Sequence, residues 1–283
     1  MKELLKKHYG LEIEYSRNYQ DGLIFFVNGD YYYLCKCLLN EEELLKCYDL
    51  YLLLKSKQVI LHDFVFNNDN NLLSDEYVLL KLNYLIDDID IYDIEKLNIE
   101  VDFDYVEDFY SLWIDRIDYY EKELFVDEDN NFINYSFDYF IGLSEMLLDY
   151  YKNSILVIKK NYVVHRSFIT LNTIDFYNPL NIIVGDKLKD YASYIRLTNN
   201  WDLLYSLLNN GTYEDRVYLL VRLSFPFKYF YCINNYISNN SCVGELLTIV
   251  EDISKYEDYL ERLELLTGIK LFYWIKKIIK RVR

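Results

Sequence analysis

The chain has 283 residues, 46 acidic against 30 basic side chains, and is 52% apolar and 18% aromatic, which is enough to bury a sizeable core and excludes disorder as the default. A formal net charge of −16 argues against a general polyanion binder, because proteins that hold nucleic acid draw most of their affinity from cations that release phosphate counterions. Nucleic acid is therefore not the expected partner.

In chain order, residues 1–8 form an opening amphipathic segment that lacks the uninterrupted apolar run of a signal peptide. Residues 23–27 and 31–37 then read as two strands, with Asn28-Gly29-Asp30 between them as a hairpin turn. Asn40 followed by Glu43 has the spacing of a capping box, and Leu44, Leu45, Tyr48, Tyr51 and Leu52 follow at helical intervals. Residues 59–66 and 76–82 read as a second strand pair around the polar turn 67–71. From about residue 85 the pattern becomes helical with acidic connections, including the runs 87–93 and 102–108. Helices are expected over 106–124, 137–151, 187–197, 201–208, 213–223, 227–236, 243–253 and 257–266, a polar loop over 127–134, and extended chain at 155–164 and 182–184.

The expected organisation is thus a small lobe over 1–84, a mainly helical lobe over 85–269, and a terminal segment over 270–283. That last segment carries six cations and no acid, which leaves −22 on the remaining 269 residues. Its simplest role is a terminal helix docked on the acidic body, with contact to an anionic membrane surface as the alternative. No run of about 18 apolar residues is present to span a bilayer, and the expected location is cytoplasmic. The tyrosines, 32 beside a single alanine, Ala192, read as general packing residues with a polar tip rather than as a ligand signature. Cys35, Cys37, Cys47, Cys232 and Cys242 show no repeated spacing and are expected as reduced thiols. Cys35 and Cys37 would share one face of a strand, but His62 has no companion with which to complete a zinc site. His8 and His62 read as structural or surface residues.

His165-Arg166-Ser167 follows the apolar stretch 162–164, and Asn172 stands seven residues after His165. That frame resembles the kinase catalytic loop, H-R-D-x-x-x-x-N, in which Asp accepts the proton of the attacking hydroxyl and Asn holds magnesium. Ser167 occupies the position of the Asp and cannot accept that proton at neutral pH. Four segments carry a wider resemblance. They are Phe137-Asp138-Tyr139-Phe140-Ile141-Gly142-Leu143-Ser144-Glu145, His165-Arg166, the run from Asp186 through Asp190-Tyr191-Ala192 to Ile195-Arg196, and Arg222-Leu223-Ser224-Phe225-Pro226-Phe227-Lys228-Tyr229-Phe230.

In order and spacing these segments resemble the bacterial spore-coat kinase-like proteins, a branch of the aminoglycoside phosphotransferase and choline kinase superfamily. Lys187, Lys189 and Tyr191 depart from that pattern, and no proline follows Asp186. The resemblance implies an α+β, bilobal protein-kinase-like fold, with a small β-rich N-lobe and a larger, mainly helical C-lobe. It also implies a phosphate-pairing lysine, for which Lys36 is the candidate, and a metal-binding aspartate, for which Asp186 has better spacing than Asp175. Helical acids to pair with the lysine would be Glu41, Glu42, Glu43 or Asp49. Gly22 is the only glycine just ahead of the first hairpin strand, so no glycine-rich phosphate cradle is expected.

The loss of the base, the loop and the paired metal ligands points to a pseudokinase with the degenerate loop His165, Ser167 and Asn172. Such a protein would bind protein partners in an assembly, in the spore coat if its source sporulates. The alternatives are an active ATP-dependent small-molecule phosphotransferase, using ATP and Mg2+ through Lys36 and Asp186, and an acidic helical interaction protein on an unrelated fold.

Overall fold

The computed structural model describes residues 1–13, 15–85, 88–106, 108–124, 131–154, 161–239 and 241–272. In chain order its elements are α1 (Lys2–Tyr9), β1 (Ser16–Tyr19), β2 (Gly22–Val27), β3 (Asp30–Lys36), α2 (Glu41–Ser56), β4 (Asp63–Val65), β5 (Leu73–Ser74), β6 (Tyr77–Lys81), α3 (Ile91–Leu97), α4 (Phe109–Leu124) and α5 (Asn131–Ser154). They continue with β7 (Tyr162–His165), the short α6 (Thr173–Phe176), a 3-10 turn (Pro179–Asn181), β8 (Ile182–Gly185), α7 (Lys189–Thr198), α8 (Trp201–Asn210), α9 (Tyr213–Ser224), α10 (Phe227–Asn239), α11 (Val243–Glu251) and α12 (Ile253–Thr267). Packing groups these into two units, residues 1–106 with 159–190 and residues 107–158 with 191–283. The boundary expected near Tyr84 marks the change from strand to helix pattern; the units follow packing, which puts α3, β7 and β8 with the sheet.

In the first unit the main sheet is antiparallel in the order β1-β2-β3-β6-β4, with β5 added to β6. The β2–β3 turn forms where expected. Asn28 and Gly29 both take positive φ, 53° and 91°, the combination whose twist matches the strands it joins. Gly22 has a different reason to be glycine: a Cβ there would lie 2.3 Å from the Leu34 carbonyl oxygen, so β2 could not lie this close to β3 with any side chain at that position. Strand alternation then gives the sheet two faces. Leu23, Phe25, Leu34 and Leu79 share one face, where Leu5 and Tyr9 of α1 complete a buried cluster. Tyr33 and Cys35 point to the other.

Asn40 caps α2 as its spacing predicts, its Oδ1 accepting from the Glu43 amide at 2.9 Å while Glu43 accepts from the Asn40 amide at 3.1 Å. Asp90 and Asp93 form the same reciprocal cap on α3, a helix placed where the acidic run reads as a connection. β7 and β8 pair antiparallel, with Tyr162 opposite Gly185 and His165 opposite Ile182. The segment before residue 106 runs alongside them, Val184 donating its amide to the Tyr105 carbonyl at 3.0 Å.

The second unit is helical and its core is aromatic. Residues Val217 through Ser224 of α9 are all buried, and α5 and α12 pack on that helix. Trp113 lies against Phe225, Phe227 and Phe230, with ring centroids 4.5, 5.1 and 5.7 Å away. Buried tyrosines place the ring in this core and the hydroxyl on a partner: Tyr229 meets the Ser136 hydroxyl at 3.0 Å, and Tyr256 donates to the Ser224 carbonyl. Among the described residues no helix is long and apolar enough to cross a membrane. Of the polar loop expected over 127–134, residues 131–134 begin α5 and 127–130 lie outside the described residues. The strand expected over 155–164 is extended from Tyr162, its stretch 155–160 being outside them. The basic segment 273–283 also lies outside the described residues.

Candidate functional site

A cavity of about 300 Å³ opens in the first unit. Its lining comes from the β1–β2 turn (Gln20, Asp21), the Tyr33 and Cys35 face of β3, the run 37–39, and the segment from His165 to Asn181. Most of the polar groups around it are bonded to one another.

His165 is buried, with Asp190 at the start of α7 holding it from two sides. The Asp190 carboxylate accepts from the His165 amide at 3.1 and 3.2 Å and lies 2.7 Å from ring Nδ1. Ring Nε2 is 2.7 Å from the Phe176 carbonyl, an acceptor only, so Nε2 is the donor. Both ring nitrogens thus face oxygens of the fold, the Asp190 carboxylate and the Phe176 carbonyl. Ser167 follows at an exposed position, and Asn181 fixes its backbone with both amide groups. The Ser167 amide donates to Asn181 Oδ1 at 2.9 Å, and Asn181 Nδ2 donates to the Ser167 carbonyl at 2.6 Å. Asn172, the last residue of the expected degenerate loop, caps α6 by accepting from the Ile174 amide at 2.7 Å, and it is not in the cavity lining.

The carboxylate that does line the cavity is Asp175. It accepts from Tyr19 Oη at 2.9 Å, from Gln20 Nε2 at 3.0 and 2.9 Å, and from Thr170 Oγ1 at 2.7 Å. Tyr19 and Gln20 are the end of β1 and the first residue of the β1–β2 turn, so this carboxylate ties the turn over the cavity to the loop beneath. Burial, then the neighbouring Asp175 charge, pushes the Tyr19 phenol well above its ordinary range. Asp186, the expected metal ligand, caps the turn into α7 through the Leu188 amide at 2.8 Å and does not line the cavity.

Lys36 is among the lining residues, and its Nζ pairs with Glu76 at 3.1 Å. Tyr33 lines the cavity as well, and so does the buried Cys35. Its thiol donates to the Val78 carbonyl at 3.6 Å, and burial raises its pKa far above the usual thiol range. Cys47 donates to the Pro179 carbonyl at 2.9 Å, and burial pushes it up to about 12. These thiols are therefore poor nucleophiles at neutral pH. Of the acids proposed to partner a lysine, Glu43 is the one turned toward this region. It faces Arg166 at 3.8 Å, and the Arg166 guanidinium also bonds the Tyr105 hydroxyl and stacks on that ring at 5.5 Å.

The cavity thus gathers His165, Ser167 and Lys36 from the expected set and leaves out Asn172 and Asp186. Sequence reading missed Asn181, whose one available signal is its place directly before the apolar strand β8. It also missed the convergence of Tyr19, Gln20 and Thr170 on Asp175, which no local spacing announces.

No family model and no curated protein matches the sequence. Among solved structures, an aminoglycoside phosphotransferase from Alicyclobacillus acidocaldarius is similar with a TM-score of 0.62 at 10% identity, over 90% of this chain and 93% of that one. A choline kinase from Streptococcus pneumoniae has a TM-score of 0.57 at 11% identity, over 90% and 97%. A spectinomycin phosphotransferase, solved with ADP and spectinomycin, has 0.56 at 12% identity, over 95% and 96%. Identities this low speak to fold alone: the chain has the kinase-like α+β fold of the aminoglycoside phosphotransferases and choline kinases.

Proposed function

We propose that this chain is a catalytically degenerate phosphotransferase-like protein, a pseudokinase that works as a binding or assembly module for protein partners. The observation that carries this reading is the pairing of Lys36. A lysine that pairs nucleotide phosphates must hold its ammonium toward them, and here Lys36, although it is in the cavity lining, pairs with Glu76 at 3.1 Å. Ser167 at the position of the proton acceptor, and an Asp175 carboxylate already accepting from Tyr19, Gln20 and Thr170, support the same conclusion. Phosphoryl transfer depends on positioned cations and a positioned base, each worth orders of magnitude in rate, and these residues are engaged elsewhere. The motif resemblance to spore-coat kinase-like proteins favours a protein assembly of that kind as the setting, with the cytoplasm and the coat as the locations to examine.

The test is to titrate the purified chain with Mg-ATP while following its melting temperature and phosphate release. The expected result is no magnesium-dependent stabilisation and no turnover. Stabilisation that requires magnesium and disappears in both Lys36→Ala and Asp186→Ala would replace this reading with the active phosphotransferase. Binding without turnover would leave the degenerate site standing and add a nucleotide to its ligands.

A further inference from the structure

Three donors of metal-binding type converge in the second unit, in a place the phosphotransferase reading does not use. Cys232 is buried on α10, Cys242 is the residue before α11, and Glu245 lies in the first turn of α11. One ligand atom from each, two Sγ and a carboxylate oxygen, lie within 4.8 Å of one another. The Cys232 thiol donates to Glu245 Oε2 at 3.5 Å. In a tetrahedral zinc site, bonds of ~2.3 Å to sulfur and ~2.1 Å to oxygen hold those two donors ~3.6 Å apart. The observed pair already has that separation.

The backbone explains how the second sulfur arrives. Cys242 takes a left-handed conformation, φ 66°, at the N-cap of α11 and makes no side-chain capping hydrogen bond. Caps at this position are ordinarily Ser, Thr, Asp or Asn accepting from the helix amides. Ser241 pins the approach, its amide and hydroxyl both donating to the Asn235 carbonyl of α10 at 3.4 Å. The connection therefore folds back on α10 and brings Cys242 to Cys232, although nine residues separate them in sequence.

We propose that Cys232, Cys242 and Glu245 bind a thiophilic divalent cation, zinc being the natural one, and so clip α10 to α11. Two sulfurs and one carboxylate suit zinc and not magnesium or calcium, which take oxygen ligands. Binding displaces the two thiol protons to solvent. The resulting two thiolates and one carboxylate carry three negative charges against the two positive charges of the metal. Three protein ligands leave the fourth tetrahedral position for water.

The test uses the full, reduced chain in metal-free buffer, titrated first with cobalt and then with zinc. One equivalent of cobalt should produce thiolate-to-metal charge-transfer absorption together with tetrahedral d–d bands, and one equivalent of zinc should bleach both. Losing even an outer hydrogen-bond partner of a metal ligand can lower affinity ~100-fold, so Cys242→Ser should lower it by at least that much. Glu245→Gln should weaken binding while keeping the charge-transfer band, and Cys37→Ser should change nothing. Because Cys242 is only half-buried, far-UV circular dichroism of Cys242→Ser is expected to match the parent; the near-isosteric Glu245→Gln provides the second reading if it does not. No 1:1 band, or a band that survives in Cys242→Ser, would overturn the proposal. So would a Cys232–Cys242 disulfide that forms in air from a reduced protein showing no cobalt band.

Discussion

Two side-chain pairs in the first unit occupy positions where kinase-type chemistry would be sought, and they are physically opposite. His165 and Asp190 are 1% and 2% exposed and 2.7 Å apart, and the carboxylate also holds the His165 backbone. Lys36 and Glu76 are 41% and 70% exposed at 3.1 Å. A buried pair with its hydrogen bonds filled is hard to break without leaving an uncompensated group, whereas an exposed pair is screened by water and contributes little. The His165–Asp190 contact is therefore part of the buried scaffold, and Lys36 is a half-exposed group. The sharpest way to break this contrast is Asp190→Ala. It strips the buried imidazole and the backbone amide of their partner at once and should lower stability by about 3–5 kcal/mol, read by urea denaturation. A loss below about 1 kcal/mol would mean that the clasp is no more than another surface contact.

A second buried imidazole tests the same contrast by pH. His62 Nδ1 accepts from the Asn83 amide at 3.1 Å, a bond that a proton on that nitrogen would destroy. Burial is the main cause that pushes its pKa down, to about 4, against about 6.5 in the unfolded chain. The unfolded state therefore takes up a proton that the folded state refuses, so stability is full above pH ~6.5 and falls as the pH drops toward ~4. Over that window the loss from this one group is about 3 kcal/mol. Denaturation at pH 7, 5.5 and 4 should show a drop that shrinks by that amount in His62→Gln. An unchanged slope would remove His62 from the account. Asn40→Ala is the intermediate case: it removes one exposed but well-formed cap from α2 and should cost about 1 kcal/mol.

Local chemistry made much of the fold legible. Asn28-Gly29 set the hairpin, Asn40 with Glu43 set the start of α2, and alternating apolar runs gave β2, β3 and β6. β1 was not legible, because Ser16, Arg17 and Asn18 are exposed and polar at an edge and carry no apolar alternation. α3 hid in an acidic run whose Asp90 and Asp93 are in fact a reciprocal cap. In the candidate site the frame His165-Arg166-Ser167 led to the loop, but spacing alone led to Asn172, while Asn181, nine residues later, is the amide that braces Ser167. α6 and the 3-10 turn fill the interval, and nothing in a linear motif reports how much chain a loop takes before it returns.

The smallest expected effect belongs to Lys36, and it is the most informative about function. Alternation in β3 places Lys36 opposite Cys35 and Cys37, and its side chain stays 41% exposed beside the cavity. An exposed lysine paired with an exposed glutamate is screened by water and contributes little. Lys36→Ala is therefore expected to leave the denaturation midpoint nearly unchanged and, on the proposed reading, to leave the response to Mg-ATP unchanged as well. Cys35→Ala, on the opposite face, removes a buried sulfur beside the cavity and should destabilise more than Lys36→Ala does. If the order were reversed, with the lysine variant losing stability or a nucleotide response and the cysteine variant neutral, Lys36 would be the functional group of β3, and the pseudokinase reading would fall.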